Sequence, residues 1–156
     1  DRAFPLAGKI ARVGGVFVKR GDLEMLLVGG GADLAPAEPQ ETALPAPSPS
    51  ESLGRWRLTG EICDGKCGAG AMRPGTGLAH KACANLCITG GVPPVFVSTV
   101  PVDGHDYFLL ASSDGGPMPA YLLDKTGVPV VLEGTIERRD DLLIFKADGL
   151  ADGADL

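Results

Sequence analysis

Hydrophobic and polar residues alternate in several short stretches of the chain, with the period of two that is typical of β-strands. The clearest case is the pattern Leu-x-Gly-x-Ile, in which the three named residues share one face of a strand. It occurs three times, at residues 6–10, 58–62 and 132–136. Glycine inside such a strand marks a bend or bulge, as at the corners of small barrels. The three copies therefore predict a curled sheet.

Turn residues between apolar runs predict two β-hairpins, one turning at residues 21–22 and one at residues 140–141. Further strands are predicted at residues 95–100 and 106–111, joined by a turn around residues 103–104. Roughly six to eight short, bent strands favour a mainly β fold, a small OB-like, partly open barrel with one short helix. A β-sandwich is the alternative.

The pattern changes to that of a helix over residues 78–88, which are rich in helix formers and are followed by Gly90 and Gly91. Residues 32–52 show no apolar periodicity and contain five prolines among Ala, Ser, Glu and Gln. This composition predicts a mobile surface loop. With 156 residues, 44% of them hydrophobic, the chain is expected to form one domain, residues 1–156.

Charge and motif content narrow the possible functions. The 14 Lys and Arg residues are outnumbered by 20 Asp and Glu, the net charge is −6, and no basic stripe is present. These features argue against a nucleic-acid partner. No nucleophile elbow or phosphate-binding loop occurs, so the sequence identifies no catalytic residue and no small-molecule substrate, and it favours a protein that is not an enzyme.

The chemistry of the chain is concentrated in a cluster of Cys and His residues. All four cysteines lie between Cys63 and Cys87, together with His80, one of only two histidines. On the predicted helix His80, Cys83 and Cys87 stand at i, i+3 and i+7, and thus on one face. Cys67 lies in the glycine-rich loop that precedes the helix.

Three interpretations of this cluster are open. In the first, Cys67, His80, Cys83 and Cys87 bind zinc tetrahedrally or hold an iron–sulfur cluster, and Cys63 is spare or substitutes for one of them. In the second, the four cysteines form two disulfides in an oxidising compartment. In the third, Cys83 and Cys87 carry out thiol–disulfide exchange. Asp64 could orient His80, or could be an ordinary turn residue before Gly65.

Part of the chain resembles a group of uncharacterised bacterial envelope proteins without an established activity. The resemblance covers roughly residues 56–148 and is carried by Gly60-Glu-Ile-Cys-Asp64-Gly-Lys66-Cys67, Met72-Arg-Pro-Gly75, His80-Lys-Ala-Cys83, Cys87-Ile and Gly90-Gly-Val-Pro-Pro94. In that group the cysteines matching Cys67, Cys83 and Cys87 recur with the histidine, and Val often replaces Cys63. The resemblance implies a metal centre without Cys63, and an exported, membrane-associated setting with Asp1 near a lost anchor.

These observations predict an accessory module of the periplasm or cell envelope. Its Cys/His metal centre would transfer electrons or have a structural role, and its partner would be a membrane or redox protein. The alternative is a disulfide-braced interaction module of a membrane complex.

Overall fold

The structure is a computed structural model that describes residues 3–29, 34–37, 46 and 48–151. Its N-terminal part consists of four short strands after a 3₁₀ turn at Phe4–Leu6. The strands are β1 (Ala11–Val13), β2 (Gly15–Arg20), β3 (Leu23–Val28) and β4 (Leu34–Pro36). β2 and β3 form an antiparallel hairpin, and β1 pairs with β4.

The remaining strands form a closed five-stranded barrel. They are β5 (Glu51–Asp64), β6 (Pro94–Val102), β7 (His105–Ser112), β8 (Pro129–Arg139) and β9 (Leu142–Leu150). Neighbours around the barrel run β5–β6–β7–β9–β8, and β8 pairs with β5 to close the ring. Only β7 and β9 are parallel among these pairs. The predicted mainly β fold is confirmed, and the barrel is closed instead of partly open because the 14-residue β5 reaches both β6 and β8.

Two of the three Leu-x-Gly-x-Ile copies lie side by side in the barrel, with Leu58 of β5 opposite Leu132 of β8. Their glycines stand where another backbone comes too close for a side chain. A Cβ atom at Gly60 would lie 2.3 Å from a carbonyl oxygen of β6, and one at Gly134 would lie 2.1 Å from a carbonyl oxygen of β9. Both glycines therefore let the strands curl, as predicted.

The first copy of the pattern, residues 6–10, is not a strand, and this part of the prediction is wrong. Leu6 ends the 3₁₀ turn. Gly8 has a φ of +72°, which is a turn conformation. The segment lacks a neighbouring strand of the barrel, and alternation of residue types alone does not form a strand without hydrogen-bonded partners.

The barrel interior is the hydrophobic core. Phe145 packs edge-on against Phe96 and Phe108, with ring centroids 5.4 and 6.4 Å apart. The buried cluster comprises Leu58, Ile62, Phe96, Val102, Phe108, Leu110, Leu122, Val130, Leu132, Ile136, Leu143, Phe145 and Ala147. All of these are apolar, so burial of hydrocarbon from water stabilises the barrel.

The connection between β5 and β6 contains the short helices that bear Cys67, His80, Cys83 and Cys87. α1 (Gly65–Gly68) is a single turn, and a 3₁₀ turn at Leu78–His80 leads into α2 (Lys81–Thr89). The predicted helix is confirmed, with its first turn in the 3₁₀ form and its end at Gly90. α1 is too short to produce a periodic pattern. A further 3₁₀ segment, Ala120–Lys125, precedes β8.

Both predicted hairpins are confirmed, as β2–β3 and β8–β9. Within the proline-rich segment 32–52, Leu34–Pro36 forms β4 and residues 51–52 begin β5. Most of the other residues of the predicted mobile loop lie outside the described residues. No helix in the described part of the chain is long and apolar enough to cross a membrane.

Candidate metal centre

Asp64 is the last residue of β5 and is fully buried. Its Oδ1 accepts a hydrogen bond of 2.9 Å from the backbone N–H of Cys67, so the side chain caps the N-terminus of α1. This bond folds the chain back immediately after the strand. As a result Cys67 lies directly beside the carboxylate.

The second oxygen of Asp64 contacts His80. Its Oδ2 lies 2.8 Å from Nε2 of His80, whose side chain is only 3% exposed. In the tautomer that donates this bond, Nδ1 has no proton and can coordinate a metal ion. A carboxylate that holds the second nitrogen of a coordinating histidine is a common feature of zinc sites.

Side chains from β5, α1, the 3₁₀ turn and α2 converge on this point. The donor atoms of Cys67, His80 and Cys83 all lie within 4.8 Å of one another, and so do those of Asp64, Cys67 and Cys87. Each group is positioned to bind a metal ion, and the two groups share Cys67 of α1.

Polar contacts with Thr126, just ahead of β8, and with β5 hold α2 and the loop that precedes it. The buried hydroxyl of Thr126 lies 2.6 Å from Oδ1 of Asn85 in α2, to which it can donate. Ahead of the helix, the N–H of Gly77 donates to Oε1 of Glu61 in β5 at 2.6 Å. A Cβ atom at Gly75 would lie 2.4 Å from the carbonyl oxygen of Cys67, so glycine is needed where this loop crosses α1.

The environment of the thiols favours their protonated form while no metal ion is bound. Burial, and then the negative charge of Asp64, raise the pKa of Cys67 to about 12. Burial also raises the pKa of Cys87, although the ammonium of Lys66 opposes this effect through a contact with the Cys87 thiol. Metal binding must therefore displace protons from these thiols.

Cys63 is separate from the site. Its side chain is fully buried and belongs to neither group of possible ligands. Its sulfur packs against Gly68, where an added Cβ atom would lie 3.2 Å away. Burial raises the pKa of this thiol to about 12. None of the four cysteines is bonded to another.

The structure thus brings together three of the residues that the sequence predicts, Cys67, His80 and Cys83. It places the fourth, Cys87, beside Cys67 and Asp64. Both roles considered for Asp64 are observed, since one of its oxygens contacts His80 and the other accepts the Cys67 N–H in the turn after β5. The roles of Glu61 and Thr126 were missed, because no sequence signal marks a polar residue that holds a distant loop.

The centre is a buried aspartate–histidine pair flanked by three thiols, held between β5, α1 and α2. Comparisons of the chain with protein-family models, with curated proteins and with solved structures find no match. The function of the protein is therefore inferred from the residues and geometry of this centre and from the sequence.

Proposed function

We propose that this protein is an accessory module of the cell envelope whose Cys/His centre binds one zinc ion through Cys67, His80, Cys83 and Cys87. The observation that carries the proposal is the convergence of Cys67, His80 and Cys83 within 4.8 Å around a histidine that Asp64 orients. Donors on a tetrahedral zinc ion lie roughly 3.5–3.8 Å apart. Small side-chain rotations would bring Cys67, His80 and Cys83 to this spacing, and Cys87, which lies in the second group with Cys67, would supply the fourth donor.

The donor set supports zinc over an iron–sulfur cluster. Ligation by four thiolates, the usual arrangement for such clusters, would require Cys63. The Cys63 sulfur is instead packed against Gly68 and lies in neither group of possible ligands. Three thiolates and one imidazole are a common set for structural zinc.

Charge balance supports the same assignment. Three thiolates exceed the charge of Zn²⁺ by one negative unit, and the Asp64 carboxylate adds another. The Lys66 ammonium already contacts the Cys87 thiol, and it would offset part of this excess. Asp64 is assigned to orienting His80, because each of its oxygens already has a hydrogen-bonding partner.

Thiol–disulfide exchange is less well supported. The attacking species in that reaction is the thiolate. Burial raises the pKa of Cys87, one of the two cysteines predicted to carry out this reaction, so little of this thiol would be ionised at neutral pH. The envelope setting and a membrane or redox protein partner remain part of the proposal, and they rest on the sequence resemblance.

The test is metal analysis of protein purified under reducing conditions, together with an absorption spectrum. We expect one zinc per chain, a colourless protein, and thiolate-to-metal absorption after replacement of zinc by Co²⁺. Cys67→Ser removes the ligand common to both groups and should abolish binding, whereas Cys63→Ala should retain the metal.

Other outcomes would overturn the proposal. Visible absorbance that disappears on replacement of any of the four ligands would identify an iron–sulfur centre. No metal, together with no free thiols on denaturation of protein purified without reductant, would identify a disulfide-braced interaction module. Equal metal binding by Cys67→Ser and the unmodified chain would exclude the site described here.

A further inference from the structure

A cleft of about 850 Å³ lies between the β2–β3 hairpin and the barrel. It opens where β7 and β9 separate, since their pairing extends only from Leu109 opposite Ile144 to Ser112 opposite Ala147. The earlier residues of both strands line the cleft, among them Tyr107 and Leu142. The hairpin forms the opposite wall, and a Cβ atom at Gly21 would lie 3.4 Å from the Tyr107 ring.

The floor of this cleft is apolar. Leu23 and Met25 contribute from β3, and the barrel contributes Val95, Leu109 and Leu143. Val95 and Leu143 are almost fully buried. The cleft can therefore take up hydrocarbon.

The rim carries an excess of negative charge, with five carboxylates against the two permanent cations Lys19 and Arg138. Lys19 pairs with Glu24, and Arg138 pairs with Asp103. His105 Nδ1 lies 2.5 Å from an oxygen of Asp22. These three pairs involve three of the five carboxylates, so two carboxylates of the rim have no partner among these cations.

The remaining carboxylates are Asp140 and Asp141, in the turn between β8 and β9. Both are exposed. Within the described part of the chain, neither side chain forms an ion pair or a hydrogen bond. The unbalanced charge at the cleft is therefore negative and concentrated at one turn.

We propose that this cleft binds a small organic cation, an alkylammonium group on an apolar body. Its volume lies within the range of about 300–1,000 Å³ that small-ligand sites occupy. The hydrocarbon part would fill the apolar floor, and the ammonium group would lie between the Tyr107 ring and the carboxylates of Asp140 and Asp141. The net charge of −6 would favour the approach of such a ligand.

The proposal is tested by calorimetric titration of the 156-residue chain with hexylamine, hexanol and hexanoate, which share one hydrocarbon chain and differ in their head group. Hexylamine should bind at least about tenfold more tightly than hexanol, and this advantage should shrink at high salt. Hexanoate should bind most weakly. Equal binding of hexylamine and hexanol, or no hexylamine binding up to about 10 mM, would overturn the proposal.

Variants locate the binding site. Replacing both turn carboxylates, D140N with D141N, should weaken hexylamine binding about tenfold and leave hexanol binding unchanged. Asp124→Asn is the matched control, because Asp124 is exposed and outside the cleft, and it should have no effect. A double variant that binds hexylamine like the unmodified chain would exclude the turn.

Leu109→Trp provides a second test, because the larger ring would occupy the cleft. It should abolish hexylamine binding while the far-ultraviolet circular dichroism is unchanged. Undiminished binding by a folded Leu109→Trp chain would place the ligand elsewhere. Binding of a lysine-rich peptide without binding of hexylamine would overturn the small-ligand proposal and make the cleft a protein-docking groove.

Discussion

The barrel and the connection that bears the candidate metal centre are ordered by different forces. The barrel buries large apolar side chains, including three phenylalanines in edge-on contact. In the connection, which we call the Cys/His segment (residues 64–91), the buried side chains are small or polar, such as Ala84, Cys67 and His80. Its larger apolar residues Leu78 and Leu86 are 69% and 76% exposed.

This difference indicates which part of the chain would depend on a metal ion bound at the candidate centre. Burial of hydrocarbon is sufficient to stabilise a five-stranded barrel of this size. The Cys/His segment has no such core, and hydrogen bonds of Asp64, Glu61 and Thr126 hold it in place. We therefore expect metal removal to loosen the Cys/His segment while the barrel stays folded.

The largest expected effect concerns the barrel. Phe145→Ala removes a fully buried ring that contacts both Phe96 and Phe108, and it should lower the free energy of unfolding by about 3–5 kcal/mol. Chemical denaturation measures the change. Phe17→Ala is the control, since Phe17 is 74% exposed, and its effect should be small. Equal effects of the two substitutions would mean that the barrel interior is not the main source of stability.

The pH dependence of stability reports on the buried thiols, and a comparison with Cys63→Ala separates the contribution of Cys63 from that of Cys67. Burial raises the pKa of Cys63 from 9.0 to about 12, so the folded state retains a proton that the unfolded state loses. The contribution of the protonated Cys63 thiol to the free energy of unfolding is complete below pH 9. It is lost as the pH rises toward about 12, at about 1.4 kcal/mol per pH unit. Denaturation of the metal-free chain from neutral to alkaline pH should show this loss.

Cys63→Ala is the comparison for this pH series. Its free energy of unfolding should fall less steeply above pH 9 than that of the unmodified chain. Parallel curves would show that ionisation of Cys63 is not coupled to unfolding.

The next effect concerns the orientation of His80. Asp64→Asn retains an oxygen that can cap α1 but replaces the carboxylate that contacts His80 Nε2. Zinc affinity should fall by about 10- to 100-fold. Competition with a chromophoric chelator measures it, with Asp106→Asn, an exposed position on β7, as control. Unchanged affinity would show that this contact does not support metal binding.

A smaller effect is expected where α2 is attached to the barrel. Thr126→Val keeps the buried shape but removes the hydroxyl partner of Asn85, and should cost about 1–2 kcal/mol. Hydrogen exchange should become faster in α2 and remain slow in β8. Thr99→Val, which loses an exposed hydrogen bond to the Thr59 carbonyl, is the control. Uniformly faster exchange would contradict an independent Cys/His segment.

The smallest effect is expected on the barrel exterior. Arg57 and Glu133 are opposite each other on β5 and β8 and form an ion pair of 2.8 Å. Arg57 is 51% exposed, so Arg57→Ala should change the free energy of unfolding by less than about 1 kcal/mol. The difference should decrease further at high salt. A loss comparable with that of Phe145→Ala would contradict a barrel stabilised mainly by burial.

The sequence predicted much of the barrel and part of the site. The alternating patterns around Leu58 and Leu132 identified two strands, because alternation and an internal glycine are properties of the strand itself. That these two strands are neighbours in the barrel came from the structure. The same pattern at Leu6 gave a wrong strand, because strand formation also needs a partner. Helix periodicity placed His80, Cys83 and Cys87 near one another, since three or four residues make one turn.

Contacts between residues far apart in the chain were decided only by the tertiary structure. The hydrogen bonds of Thr126 to Asn85 and of Glu61 to Gly77, and the cleft between the hairpin and the barrel, depend on how separate elements pack. The sequence by itself determined the ligand types, their local spacing and the bends of the strands, because these are fixed within a few residues. The tertiary structure alone set Asp64 against His80, because this contact depends on how the Cys/His segment folds back onto β5. It also places the Cys63 sulfur outside both groups of possible ligands, as the resemblance implies.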